Sequence, residues 1–311
     1  MKLPSRTRTR RSKPKPRATA GRSVDTSDDQ QNGVVVTRGR RVMPWQFARP
    51  KELHEDFETG DDCEVEDRRR IASLRRDGRR EAIALADILS AEVPKPTQAS
   101  ARFMRVARCR IILEALRILT KVAAGDLYFA TIIVARWFFP VDTAKLEGVD
   151  IGKIQRGFIQ HLNRAGGRES NGILIGRFEG ALMDNSRDQQ RGYHLHLHGV
   201  ADARMEVVLR QMTEQVAYGD TDAVGQSVRL QPVTPGTTAR VLGYSFKAQW
   251  RTRKGENGTA QSGATFLRDG GRLPEPHHTD ALLWLHERKL ANFTVAYGTR
   301  YLRRSTRMSW M

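Results

Sequence analysis

The sequence predicts an α+β protein, a ferredoxin-like (split βαβ) antiparallel sheet with helices on one face, preceded by a helical segment and a basic N-terminal arm. Three observations carry this. Hydrophobic periodicity changes near residue 126 from helical spacing to β-branched and aromatic runs. From there on, elements follow the order strand, helix, strand, strand, helix, strand, helix. Between two of the strands lies only a short polar stretch, so Ile173–Leu182 and Tyr193–Ala201 form a hairpin.

From Met1 to Arg22 there are nine Lys or Arg and no acid, with Pro4, Pro14 and Pro16 among them, so this arm cannot bury enough apolar surface to fold alone. Nine acids then fall between Glu52 and Asp67, and the sequence reads as a solvated linker through residue 67. Arginine-flanked apolar residues recur at helical spacing over Arg79–Ala91 and Ala99–Ala124, which makes 68–125 a helical segment packed on a domain spanning 126–311. In that domain Tyr128–Phe138 is a strand. A helix capped by Asp142 or Thr143 runs to Arg164, ended by Gly166-Gly167. After the hairpin come a helix over Arg204–Ala217, a strand over Ser227–Val233 and a helix over Thr237–Trp250.

The chemistry is concentrated in Tyr193-His194-Leu195-His196-Leu197-His198-Gly199. Side chains alternate along a strand, so the three imidazoles share one face while Leu195 and Leu197 enter a core. The outer histidines lie about 13 Å apart at the rise of a strand. One ion therefore takes His194 with His196, or His196 with His198. Glu179, one strand away, supplies a carboxylate. Two imidazoles and a carboxylate leave coordination positions open and suit Mg, Mn or a similar divalent cation, a catalytic pattern and not a closed structural cage. Cys63 and Cys109 form neither a metal spacing nor a disulfide framework.

Three segments in order resemble the HUH endonucleases, in which two histidines flank a hydrophobic residue and a tyrosine is the nucleophile. Tyr128-Phe129-Ala130-Thr131-Ile132-Ile133-Val134 is similar to the family's first strand motif, Glu179 with His196-Leu197-His198 to its metal motif, and Tyr244-Ser245-Phe246-Lys247 to its nucleophile motif. Histidines before tyrosine is the order of rolling-circle replication initiators and related transposases. The chain departs from the pattern by its additional His194 and by Ala135-Arg136 where the first motif ends on a small polar residue. The resemblance implies nicking and joining of single-stranded DNA, at an origin or hairpin, through a 5′-phosphotyrosine formed by Tyr244. Lys247, one helical turn on, would stabilise developing charge, and Arg177, Arg251 and Arg253 would hold DNA phosphates.

A net charge of +18 and a pI near 10.6 fit a polyanionic partner. No phosphate-binding Gly-x-x-x-x-Gly-Lys-Ser/Thr loop occurs, so duplex unwinding calls for a separate helicase. No apolar run of membrane-spanning length or leading apolar segment occurs, and the expectation is a cytoplasmic protein with no membrane partner. A transposase using the same chemistry and a non-catalytic nucleic-acid binder are the competing functions. A small-substrate metal hydrolase would leave the positive charge unexplained. Tyr297 and Tyr301 rank second as nucleophiles; Asp184 and Asp188 read first as a solvated hairpin loop and only second as assistants to the ion. His161 reads as structural, and His277, His278 and His286 as surface residues.

Overall fold

The computed structural model describes residues 35–37, 40–42, 46, 48–93, 95–141, 146–185, 190–219, 226–247, 250–255 and 267–299. The arm before residue 35, Asp142, Thr143, Asp188, Arg300 and Tyr301 lie outside them. A short antiparallel pair, β1 (Val35–Thr37) and β2 (Arg40–Val42), precedes α1 (Gly60–Asp77), α2 (Arg80–Ser90) and α3 (Ala101–Val122).

Part of the expected acidic linker is helix. Thr59 and Asp62 form a reciprocal capping box, and Gly78 closes α1 with φ 79°, a left-handed conformation open to glycine without strain. Asp67 is buried and accepts from the Ala101 amide (2.6 Å), the Ser100 hydroxyl (2.9 Å) and Arg102 Nε (2.9 Å), so it closes the N-terminus of α3 where the helix dipole favours an anion. Glu66 pairs with Arg70 at 3.1 Å and with Arg272. Charge runs mislead here because side-chain partners from distant segments neutralise them. Asp67→Ala is expected to cost about 3 kcal/mol, read as a drop in the urea midpoint, since it strands Arg102 and unpairs the α3 amides.

Among the described residues seven strands form the main sheet, in the order β6-β3-β5-β4-β7-β8 with β9 also on β4. The first four are β3 (Leu127–Pro140), β4 (Leu174–Asn185), β5 (Gln190–Asp202) and β6 (Val228–Pro232). Their mutual pairings are antiparallel. Between β3 and β4 lies α4 (Ile151–Arg164), then the single turn α5 (Gly167–Ser170); between β5 and β6 lies α6 (Ala203–Met212). The helix before β4 starts later than its periodicity predicts because Asp150 caps it, accepting from the Lys153 amide at 2.9 Å. The one after β5 stops at Met212, and a 3₁₀ turn over Val216–Tyr218 seats Tyr218 in the core.

After α7 (Thr238–Ser245) the chain returns as β7 (Arg251–Gly255) and β8 (Leu267–Arg272), followed by α8 (His277–His286), α9 (Leu290–Phe293) and β9 (Thr294–Tyr297). β7 runs parallel to residues 181–184 of β4, while β9 runs antiparallel to residues 174–177. The sheet is therefore mixed, not the expected antiparallel one. Trp250, predicted as the end of a helix, is buried and leads into β7. Its ring lies over β4 at Gly180, where an added Cβ would stand 2.5 Å from the indole. Gly180→Ala is expected to lower the melting temperature by several degrees, about 1–3 kcal/mol of overpacking.

The two faces differ in content. One buries Ala130, Ile132, Phe178, Leu195 and Leu197 against Phe158 and Leu162 of α4 and Val208 and Leu209 of α6. The opposite face is not bare, as helices on one face would leave it: Ile173, Ile175 and Val200 pack with Ile111 and Ile112 of α3, Leu242 of α7 and Phe246 just after it. Apolar residues at that end of the strands demand a cover, and the helical segment supplies it. Further along the same face the side chains are His196, His198 and Glu179.

Of the histidines of α8, expected on the surface, His278 is buried and His277 and His286 are half-buried. His278 Nδ1 lies 3.2 Å from the Ser73 hydroxyl, and His277 meets the Tyr193 hydroxyl at 3.0 Å. His286 faces Thr97 at 3.0 Å. His161 meets Gln215, a structural contact between α4 and the turn after α6. The two cysteines are free thiols, Cys63 buried and Cys109 half-buried.

Candidate metal centre and nucleophile

β4 and β5 pair in a register that sets Glu179 directly opposite His196 and Arg177 opposite His198. Period-two alternation sends Leu195 and Leu197 into the α4/α6 core and turns the imidazoles to the other face. Glu179 Oε2 lies 3.9 Å from His196 Nε2 and 3.9 Å from His198 Nε2. All three residues are buried, and these same three atoms have no hydrogen-bond partner. Orphaned polar atoms inside a protein are costly. Three converging on one point, all donors of electron pairs and within 4.8 Å of one another, fit a cation.

The remaining ring nitrogens are held. Thr131, opposite His198 on β3, places its hydroxyl 3.0 Å from His198 Nδ1, and Phe129 stacks on that ring with centroids 5.4 Å apart. A partner on Nδ1 orients Nε2 for a ligand and fixes the tautomer. His196 is braced by a backbone hydrogen bond at His194. Thr131→Val is expected to weaken metal binding about tenfold or more, measured by calorimetric titration, because the imidazole loses its orienting partner.

Burial pushes both histidines down, His196 well below the usual imidazole range and His198 to about 3, with the positive charge of Arg253 acting in the same direction on both. Burial raises the Glu179 carboxyl, opposed by Lys247, Arg177, Arg253 and Arg251. The imidazoles are thereby kept in their neutral, ligating form. A divalent cation among them would reverse the balance at Glu179 and hold it ionised.

His194 does not join this group. A register shift in β3 between Ile133 and Phe138 lets the Val134 carbonyl meet His194 Nε2 at 3.1 Å, and Phe138 packs edge-on to the ring at 6.0 Å. The alternation that predicts three equivalent histidines holds along β5. The irregularity that separates them lies on its neighbour.

Tyr244 stands at the edge of the group, 40% exposed, its ring 5.3 Å from that of His198 and 5.7 Å from that of Phe129. α7 ends at Ser245, so Lys247 is beyond the helix and not one turn up its face. It reaches Tyr244 differently: the chain turns and lays Lys247 Nζ 3.3 Å from the ring centroid. Arg251 and Arg253 sit on β7, the first exposed and the second half-buried. Asp184, the residue before the end of β4, pairs in register with Lys254 of the same strand β7.

Arg177, expected on the DNA, is buried. It donates to the Lys247 carbonyl and to Gln98 Oε1 at 3.0 Å, and lies over the Phe293 ring at 5.6 Å. Burial lowers its guanidinium to about 10. Its function is to brace the turn after α7 that carries Lys247. The rival Tyr297 is buried in β9 and donates to Asn163 Oδ1 at 2.6 Å, an arrangement for packing and not for attack.

Thr131 and Phe129 lie in the first strand motif, but their contacts with His198 are not legible there, because both sit inside an apolar run. The signal was a lone hydroxyl in a strand that pairs with the histidine strand.

No described helix is long and apolar enough to cross a membrane. No family model, curated protein or solved structure matches the chain.

Proposed function

We propose that the protein is a metal-dependent endonuclease and strand transferase of single-stranded DNA, working through a covalent tyrosine intermediate as in the HUH endonucleases. The observation that carries this is the convergence of the orphaned Glu179 Oε2, His196 Nε2 and His198 Nε2 beside Tyr244, whose ring lies 5.3 Å from that of His198. The order β3, α4, β4, β5, α6, β6, with β3 and β5 central, supports the ferredoxin-like reading of the core.

A divalent cation, Mg or Mn, held by these three residues would withdraw charge from a nonbridging oxygen of the scissile phosphate. Tyr244 Oη attacks phosphorus. The P–O bond to tyrosine forms as the P–O3′ bond breaks, and the proton the phenol gives up is balanced by one taken on the departing 3′ oxygen. The 5′ end is left on tyrosine until a free 3′-hydroxyl attacks the ester and restores the strand. Lys247 offsets the negative charge that develops on the phenol oxygen and the phosphate. Arg251 and Arg253 attract the flanking backbone, and the net charge of +18 draws DNA to the surface.

Initiation of rolling-circle replication is the biological setting that this chemistry suits, at an origin or hairpin and with a separate helicase. The test is a denaturing gel of labelled single-stranded oligonucleotides from the neighbourhood of the gene, incubated with Mn or Mg. A covalent adduct that disappears with chelator supports the reading. Binding without an adduct at any sequence or ion would replace it with a binding module.

A further inference from the structure

A cavity of about 540 Å³ opens beside the proposed nucleophile. Tyr244, Lys247 and Val241 line it together with Phe57, Glu58 and Arg108 from the N-terminal part of the chain. Its size is that of a small-ligand pocket. Its charge is divided, which decides what can enter. A free anion would meet Glu58 and Asp62, a cation Arg108 and Lys247. A flat neutral ring bearing donors and acceptors on its edge, and carrying a phosphate on one side, satisfies both.

The Phe57–Arg108 part of the lining suits such a ring. Phe57 is buried, with the Arg108 guanidinium 5.0 Å from its centroid. Arg108, only 5% exposed, donates through Nη1 to Glu58 Oε1 and through Nη2 to the Gly243 carbonyl at 3.1 Å. Its Nε has no partner. The Glu58 carboxylate keeps acceptor capacity beyond the Arg108 bond. A rigid guanidinium beside a carboxylate is the pairing that reads base edges in nucleic-acid complexes.

We infer that this cavity takes one base of the substrate strand, the base next to the scissile phosphate, with its face against Phe57, its edge on the Glu58–Arg108 pair and its phosphate toward Lys247. The inference rests on the single-strand reading above but has its own readout. The helical segment before the catalytic sheet thereby becomes part of the substrate site and not only a cover for the sheet.

The test uses the full chain and single-stranded oligonucleotides carrying 2-aminopurine, or an abasic residue, at successive positions. In chelator, the emission of 2-aminopurine should change on binding at one position and not at its neighbours. With Mn, an abasic residue at that position should slow adduct formation about tenfold or more, the loss of one well-made edge contact. Glu58→Gln and Phe57→Leu, verified as folded by circular dichroism, should make cutting indifferent to the abasic residue. If every position behaves alike with the unaltered protein, the base pocket is wrong even where an adduct forms. A position-specific emission change without any adduct would retain the pocket and discard the nuclease. No binding at all would overturn both.

Discussion

Tyr244→Phe is expected to abolish the covalent DNA adduct, lowering its yield by about a thousandfold or more, while binding of the same oligonucleotide changes less than twofold. The substitution removes one oxygen and retains the ring, so the contacts to His198, Phe129 and Lys247 Nζ survive. Tyr244 is 40% exposed and lies outside the core, so melting temperature should not move. Denaturing gels for the adduct and filter binding for affinity measure the two separately. An adduct that persists in the variant would transfer the nucleophile elsewhere, and Tyr297, buried against Asn163, is not placed to take the role.

Replacing the carboxylate should dissociate stability from function. In Glu179→Gln, metal binding is expected to weaken by two to three orders of magnitude and cutting to fall with it, because the only anion in the group is lost. Without metal the variant is expected to be as stable as the parent or slightly more so, since a buried carboxyl whose Oε2 has no partner is exchanged for a neutral amide. Thermal melts with and without Mn separate the effects. The parent should gain about 2.7 kcal/mol at a hundred times its dissociation constant, and the variant should gain almost nothing at the same concentration. A variant that loses stability in chelator and keeps its response to Mn would show Glu179 to be a structural residue.

The sheet and its histidine strand were legible because period-two alternation is a local property. Leu195 and Leu197 between three imidazoles dictate which side is core, whatever the rest of the chain does. The same holds for Glu179 on the adjacent strand of a hairpin. Helix starts were less legible. Asp142, Thr143 and Asp150 can all cap, and α4 begins after the last of them. The region after Tyr244 was misread because Trp250 fits a helical spacing equally well, and only its burial over Gly180 shows the chain already leaving for β7.

Residue chemistry along the chain thus determined the α+β class, the strands that bear Glu179, His196 and His198, and the position of Tyr244 after them. It could not determine how many histidines converge. That depends on a register shift in β3, sixty residues away, which gives His194 to the Val134 carbonyl. Nor could it tell that Arg177 is inside, that Asp67 anchors α3, or that Phe57, Glu58 and Arg108 line one cavity with Tyr244. Those facts are set by which charged groups find partners when distant segments pack, and a charge in sequence carries no mark of its partner.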